Sequence, residues 1–323
     1  MAVYTNVSQN DLRHFLLGFD IGDAISLHGI TEGIENTNFR LRTTTGLYIL
    51  TLYEKRVNPR DLPFFLTLID HLAKSGFPCP GPVAALNGEF LHELSGRPAA
   101  IVKFATGAWP RKITPDHCHE LGSVLSRLHK ATSSLKFTRK NDYGLPAWRS
   151  TFSTLGRYAN ELEAGLDKWI EEELVILESS WPLGLPVGII HGDLFPDNVF
   201  FEHGRVSGLI DFYFASTDAL ALDLAICINA WCFEEGCLDI VRTKALIAGY
   251  QNNRQLQKLE REALPILGRG AAMRFLITRL HDWFFTPSDA VAERKDPLDF
   301  VPIIQHYQTA FDPEAIGLGS PNG

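Results

Sequence analysis

Strand-like and helix-like patterns are segregated along this chain, and that order limits the folds open to it. Before residue 104 the apolar runs are short and broken by glycine and proline. Residues 24–30, 38–42 and 47–53 read as strands joined by polar, glycine-bearing turns. A short capped helix precedes them at 8–17. Residues 61–75 carry Leu62, Phe65, Leu66, Ile69 and Leu72 at helical spacing, with Gly76 as the stop. Past the rigid Pro78-Cys79-Pro80-Gly81-Pro82 connection, 83–86 and 89–93 are expected to pair across Asn87-Gly88, and 99–104 forms a further strand. After residue 114 the periodicity turns helical. Thr114 and Pro115 cap a helix to His129 with Leu121, Leu125 and Leu128 inward. Further helices are expected over 149–169, 170–179, 223–233, 241–250, 258–285 and 301–311, and 313–323 reads as a disordered tail. The expected class is α+β and bilobal: an antiparallel sheet lobe over 1–103 and a larger, mainly α lobe over 104–323. A cleft between two such lobes is a usual place for a nucleotide.

One stretch interrupts the helical half. An apolar run at 185–190 enters His191-Gly192-Asp193-Leu194-Phe195-Pro196-Asp197-Asn198, a second run at 199–201 leaves it, and a third at 206–210 ends on Asp211. Read as strands, these runs bring Asp193, Asn198 and Asp211 to one end of a hairpin. That polar set suits phosphoryl transfer. One carboxylate receives the acceptor's proton, while the amide and the other carboxylate hold magnesium against nucleotide phosphates. Asp197 reads as a turn former. The turn over 29–38, with Gly33, Asn36 and Asn38, could lie over the phosphates, because glycine lets backbone N–H groups approach closely.

Composition removes other classes. With a net charge of −8 and a pI near 5.8, the chain lacks the basic footprint of a nucleic-acid binder. No apolar run reaches the roughly 18 residues of a membrane span, and the first residues show no secretory signal, so a cytoplasmic protein is expected. Five scattered cysteines are an odd number. Cys227, Cys232 and Cys237 are spaced by five, outside zinc-ligand patterns, and read as buried thiols on a helix. His117 and His119 read as surface residues. Trp231, Phe233, Trp283, Phe284 and Phe285 read as core rather than as a cage for a quaternary amine.

His191-Gly192-Asp193 with Asn198, followed by Ile210-Asp211-Phe212, resembles the signature of the aminoglycoside phosphotransferase and choline kinase superfamily, whose members share the protein-kinase-like fold. Within it the chain is most similar to the bacterial homoserine kinases of the non-GHMP type. The supporting phrases are Glu32-Gly33-Ile34-Glu35-Asn36-Thr37-Asn38-Phe39, Tyr48-Ile49-Leu50-Thr51-Leu52-Tyr53-Glu54, and Arg274-Phe275 with Arg279-Leu280. The resemblance implies ATP and Mg2+ as cofactors and L-homoserine as the substrate. It makes Asp193 the catalytic carboxylate, His191 a partner within its loop, Asn198 and Asp211 the magnesium ligands, and Asp223 a brace for the loop. Lys103 and Ala105 become the hinge that meets adenine. Tyr213, Arg274, Arg279 and Asp282 become candidates for the substrate's charges. Related alcohols remain alternatives (choline or ethanolamine, methylthioribose, an aminoglycoside), as does a nucleotide-binding module without turnover. One departure bears on that last alternative. Many relatives place a cation on the third strand, where this chain has Thr51, and the nearest basic residues are Arg40, Arg42, Lys55 and Arg56.

Overall fold

The computed structural model describes residues 5–30, 36–54, 58–286 and 295–318. The chain divides into two compact units, residues 1–107 with 207–213, and residues 108–206 with 214–286 and the C-terminal segment.

In the first unit, α1 (Gln9–Leu16) begins at Ser8, whose hydroxyl accepts the Asp11 N–H at 3.1 Å. Then follow β1 (Ala24–Gly29), β2 (Thr37–Thr43), β3 (Leu47–Leu52), α2 (Leu62–Lys74), β4 (His92–Leu94) and β5 (Arg97–Lys103). The strands form one antiparallel sheet in the order β1-β2-β3-β5-β4. β2 shows why: Thr37, Phe39, Leu41 and Thr43 are buried while Arg40 and Arg42 face out, the two-residue period of a half-buried strand. Phe39 and Leu41 join Leu50, Leu52, Ala99 and Ile101 from the neighbouring strands and Leu12 and Leu16 from α1 in one core. Each buried Leu, Ile or Phe among them contributes about 1.5–3 kcal/mol.

The expected hairpin over 83–93 survives only as its turn, in which Gly88 has φ +86° and Ala85 N–H bonds Glu89 O at 2.8 Å. The flanking residues are drawn elsewhere. Val83 N–H goes to Ile101 O, Ala85 bridges Phe19, and β5 pairs with β4.

The second unit holds α3 (Pro115–Thr132), α4 (Leu145–Leu162), α5 (Leu166–Ser180), β6 (Val187–Ile190) and β7 (Val199–Glu202). The chain crosses to the first unit within β8 (Arg205–Leu209) and returns as β9 (Ser216–Ala219), α6 (Leu220–Trp231), β10 (Phe233–Glu234), β11 (Cys237–Leu238), α7 (Ile240–Gln251), α8 (Lys258–Phe285) and α9 (Val301–Thr309). The three runs around the polar stretch do not form one hairpin. β7 pairs with β8, whereas β6 pairs with β9, a strand that Ser216-Thr217-Asp218-Ala219 does not advertise because it lacks an apolar run. Cys237 is exposed in β11 rather than buried on a helix. His117 is half-buried; its ring accepts the Thr114 N–H in the capping box of α3. Residues 313–318 form an ordered turn that buries Ile316 and Leu318. Among the described residues, no helix is long and apolar enough to cross a membrane.

α3 and α7 pack backbone to backbone. A Cβ on Gly122 would stand 2.0 Å from Leu246 O, and one on Gly249 would stand 2.0 Å from His119 O. Two small residues set that spacing.

Candidate active site

The loop from His191 to Asn198 leaves β6 and enters a single 3-10 turn, Pro196–Asn198, opened by a proline whose missing N–H costs nothing there. Within the loop Asn198 Nδ2 donates to the Asp193 backbone carbonyl at 2.8 Å and to Asp193 Oδ2 at 3.1 Å. The amide thereby fixes one oxygen of the carboxylate. Gly192 has φ +80°, and a Cβ there would meet Phe214 O at 3.0 Å, so only glycine fits without strain.

The peptides around Gly192 are held by buried charge. Asp223, in the first turn of α6, accepts the His191 N–H at 2.7 Å and the Gly192 N–H at 2.9 Å. The helix N-terminus favours a negative charge at that position. Burial alone would raise the Asp223 carboxyl. The hydrogen bonds from His129 and the Gly192 N–H hold it below its ordinary value. Arg274 of α8, also buried, donates Nη1–H to Gly192 O, and its guanidinium lies 4.5–5.3 Å from the ring centroids of Phe275, Tyr143 and Phe214. The Trp231 indole donates to Leu194 O at 2.8 Å. The charge-assisted bonds of Asp223 and Arg274 contribute about 1.5–3 kcal/mol each, and the neutral indole bond less.

His191 is fully buried, and its Nδ1 accepts the Asp193 N–H at 3.3 Å. Asp197 reaches Lys295 at 3.0 Å, so its side chain pairs across the unit instead of only forming the turn. Arg279 donates to Asp299 Oδ2 and Asp296 O, both at 2.8 Å, and stacks on Phe300. Burial lowers its pKa, and the charges of Asp299, Asp193 and Asp197 oppose that, which puts this cation in the field of the His191–Asn198 loop. Asp282 lies beside the His281 ring, 3.4 Å away.

In the first unit, Asp211 has φ +64°, a left-handed backbone that aspartate tolerates better than most side chains. Its charge is felt by the buried Tyr53 hydroxyl, which burial and Tyr213 also push well up. Tyr53 and Tyr213 are hydroxyl to hydroxyl at 3.1 Å. Thr51 pairs in register with Asn38, and its hydroxyl donates to Asn38 Oδ1 at 2.7 Å. Asn36 Oδ1 accepts the Glu54 N–H at 3.3 Å, and Glu54 pairs with Arg97 and Thr37. Gly33, Lys55 and Arg56 lie outside the described residues. At the end of β5 the Lys103 N–H bonds Gly81 O at 3.0 Å and the Phe104 N–H bonds Leu47 O at 3.3 Å.

Asn198 and Asp211 fit a magnesium ion by donor type. Asn198 turns its N–H2 group onto Asp193, so its oxygen is the end left to ligate, and a carboxylate is the other hard donor the ion prefers. His129, Trp231 and Arg274 reach the loop or its brace without having been read in that role. His129 continues the inward face of Leu121, Leu125 and Leu128 and was legible as buried; Trp231 and Arg274 had no such signal.

Residues 26–266 match the phosphotransferase enzyme family. A homoserine kinase of Paramagnetospirillum magneticum is 49% identical over 325 residues, which cover 98% of this chain and 100% of that one. A homoserine kinase of Rhodospirillum rubrum is 50% identical over 319 residues, 98% of this chain and 99% of that one. Among solved structures, the amicoumacin kinase hAmiN in complex with AMP-PNP, Ca2+ and Ami has a TM-score of 0.73 at 13% identity, with 95% of this chain and 96% of that one covered, and shares the protein-kinase-like fold.

Proposed function

The chain belongs to the phosphotransferase enzyme family and, within it, to the homoserine kinases, and we propose that it transfers the γ-phosphoryl group of ATP to the hydroxyl of L-homoserine. The observation that carries the reading is near-complete coverage by homoserine kinases at 49–50% identity. The catalytic loop supplies chemistry that agrees with it. Asp193 accepts the hydroxyl proton as the alcohol oxygen approaches the γ-phosphorus in line. The new P–O bond forms as the bond to the leaving ADP breaks, giving ADP and O-phospho-L-homoserine. Asn198 keeps Asp193 oriented. Asn198 and Asp211 would hold magnesium, which when bound neutralises charge on the β- and γ-phosphate oxygens.

The 29–38 turn, with Gly33, Asn36 and Asn38, serves the nucleotide phosphates, and the Lys103–Ala105 hinge serves adenine through the Ala105 backbone. Homoserine is a zwitterion, so its site pairs a cation with the carboxylate and an acceptor with the ammonium. Arg279 and Asp282 are the candidates on α8 for those two charges, and Tyr213 follows the magnesium-binding Asp211 closely in sequence. The product feeds threonine biosynthesis. Five free thiols suit the reducing cytoplasm as its place.

The test is an ADP-release assay across homoserine, choline, methylthioribose and kanamycin. Homoserine should exceed the others in kcat/KM by about 10³-fold or more, because a site built for two opposite charges rejects ligands lacking one of them. Turnover of another alcohol with none of homoserine overturns the substrate.

A further inference from the structure

Asp223, which carries the backbone of the catalytic loop, is itself held by a side chain from α3. His129 Nε2 lies 3.2 Å from Asp223 Oδ2, and both side chains are fully buried. The other ring nitrogen, Nδ1, lies 2.9 Å from the Tyr250 hydroxyl on α7. Arg254, just past α7, donates Nη1–H to the same hydroxyl at 3.0 Å and Nη2–H to the buried Glu260 at 2.8 Å. Glu260 also accepts the Gln257 N–H at 2.9 Å at the start of α8.

These contacts have a direction. A guanidinium can only donate, so the Tyr250 oxygen is an acceptor toward Arg254. The single phenolic proton then has one acceptor beside it, His129 Nδ1. A ring that accepts at Nδ1 carries its proton at Nε2 and presents N–H to Asp223. An imidazolium would instead aim a second N–H at the tyrosine oxygen and leave the buried phenolic proton with nothing to bond. The opposite neutral tautomer would set a lone pair against the carboxylate.

We propose that Tyr250 and Arg254 are positioning residues for phosphoryl transfer: they fix His129 as its Nε2–H tautomer, so that Asp223 holds the His191 and Gly192 peptides in one register. The close packing of α3 on α7 serves the same end. A Cβ on Gly122 would stand 2.7 Å from the Tyr250 nitrogen, so the reach of Tyr250 to His129 depends on glycine there. The inference rests on the phosphoryl-transfer reading of Asp193 but not on which alcohol accepts the group.

The test combines 15N NMR of the histidine rings, with His129 assigned through His129→Gln, with kinetics and thermal unfolding of Tyr250→Phe and Arg254→Met. The wild type should show His129 as a single neutral Nε2–H tautomer. Tyr250→Phe removes one oxygen without changing the shape of the ring. It should lose that signature and about tenfold in kcat, with KM for both substrates within about twofold. Arg254→Met should move both readouts the same way, and Arg254→Lys should restore them in part. A wild-type ring that is Nδ1–H or doubly protonated overturns the proposal, with no variant needed. So does a folded Tyr250→Phe enzyme with the parent kcat. If homoserine proves not to be the acceptor, kcat is read on the alcohol that is turned over, and the tautomer still decides.

Discussion

The His191–Asn198 loop and the β2–β3 pair both carry polar side chains, yet they use charge differently. Around Gly192 a carboxylate takes the N–H and a guanidinium takes the carbonyl, and neither is exposed. Along β2 and β3 the matching contacts are neutral, Thr51 to Asn38 and the Asn36 amide to the Glu54 N–H. The ion pair at hand there, Arg97 with Glu54, keeps its arginine about a third exposed at 35%. Buried charge with its partners in place is costly to disturb, whereas neutral bonds, even those of the buried Thr51 and Asn36, cost less to lose. The carboxylate proposed as the base therefore sits in a loop held by buried charge. The region proposed for the nucleotide is held by neutral bonds that cost less to break.

The largest expected effect breaks the chemistry without breaking the loop. In Asp193→Asn the new amide can still offer its oxygen to Asn198 Nδ2, so the loop should keep its shape. Only the proton acceptor is lost. Steady-state kinetics should show kcat down by about 10³-fold, with ATP affinity by titration within about twofold. A rate near the parent value would remove Asp193 from the role of base.

Next in size is Arg274→Met, which preserves volume and removes the cation over Gly192 O. Urea unfolding should report a loss of about 2–3 kcal/mol, because the carbonyl is left buried beside three aromatic rings with no donor of comparable strength. Arg274→Lys should recover little of it, since an ammonium lacks the planar group that lies against those rings. A loss below about 0.5 kcal/mol would show that the loop is not held by buried charge, and the contrast between the two regions would fall.

The same residues show how much was legible beforehand. Asp193 and Asn198 lie five residues apart in one loop, so their contact follows from local chain geometry, and β2 displayed its alternation directly. The inward face of α3 extends to His129 at the spacing of Leu125. Partners from distant elements were not legible. Arg274 reads as a candidate for the substrate's charges, because nothing local says that α8 turns it onto Gly192 O. β9 contains no apolar run and exists only because β6 needs an edge partner. Ile316 and Leu318 sit among glycine and proline, a composition typical of a tail, and are ordered by burial against residues far away in sequence. The absent cation at Thr51 was visible, but its replacement by a bond to Asn38 depends on the β2–β3 register, which sequence patterning leaves open.

Thr51→Val is the smallest change and the finest test of the comparison. It keeps the side chain's shape and deletes one neutral hydrogen bond, leaving Asn38 Oδ1 at a half-buried position where water can replace the hydroxyl. Stability should fall by about 0.5–1.5 kcal/mol in the same urea experiment, and KM for ATP should rise no more than about fivefold with kcat unchanged. The result matters through its ratio to Arg274→Met. If Thr51→Val costs as much as the buried arginine, the β2–β3 pair is as rigidly specified as the loop, and Thr51 is a structural keystone of the sheet. If it costs a third or less, the strand that many relatives reserve for a charged phosphate ligand has been rebuilt here from contacts that can yield.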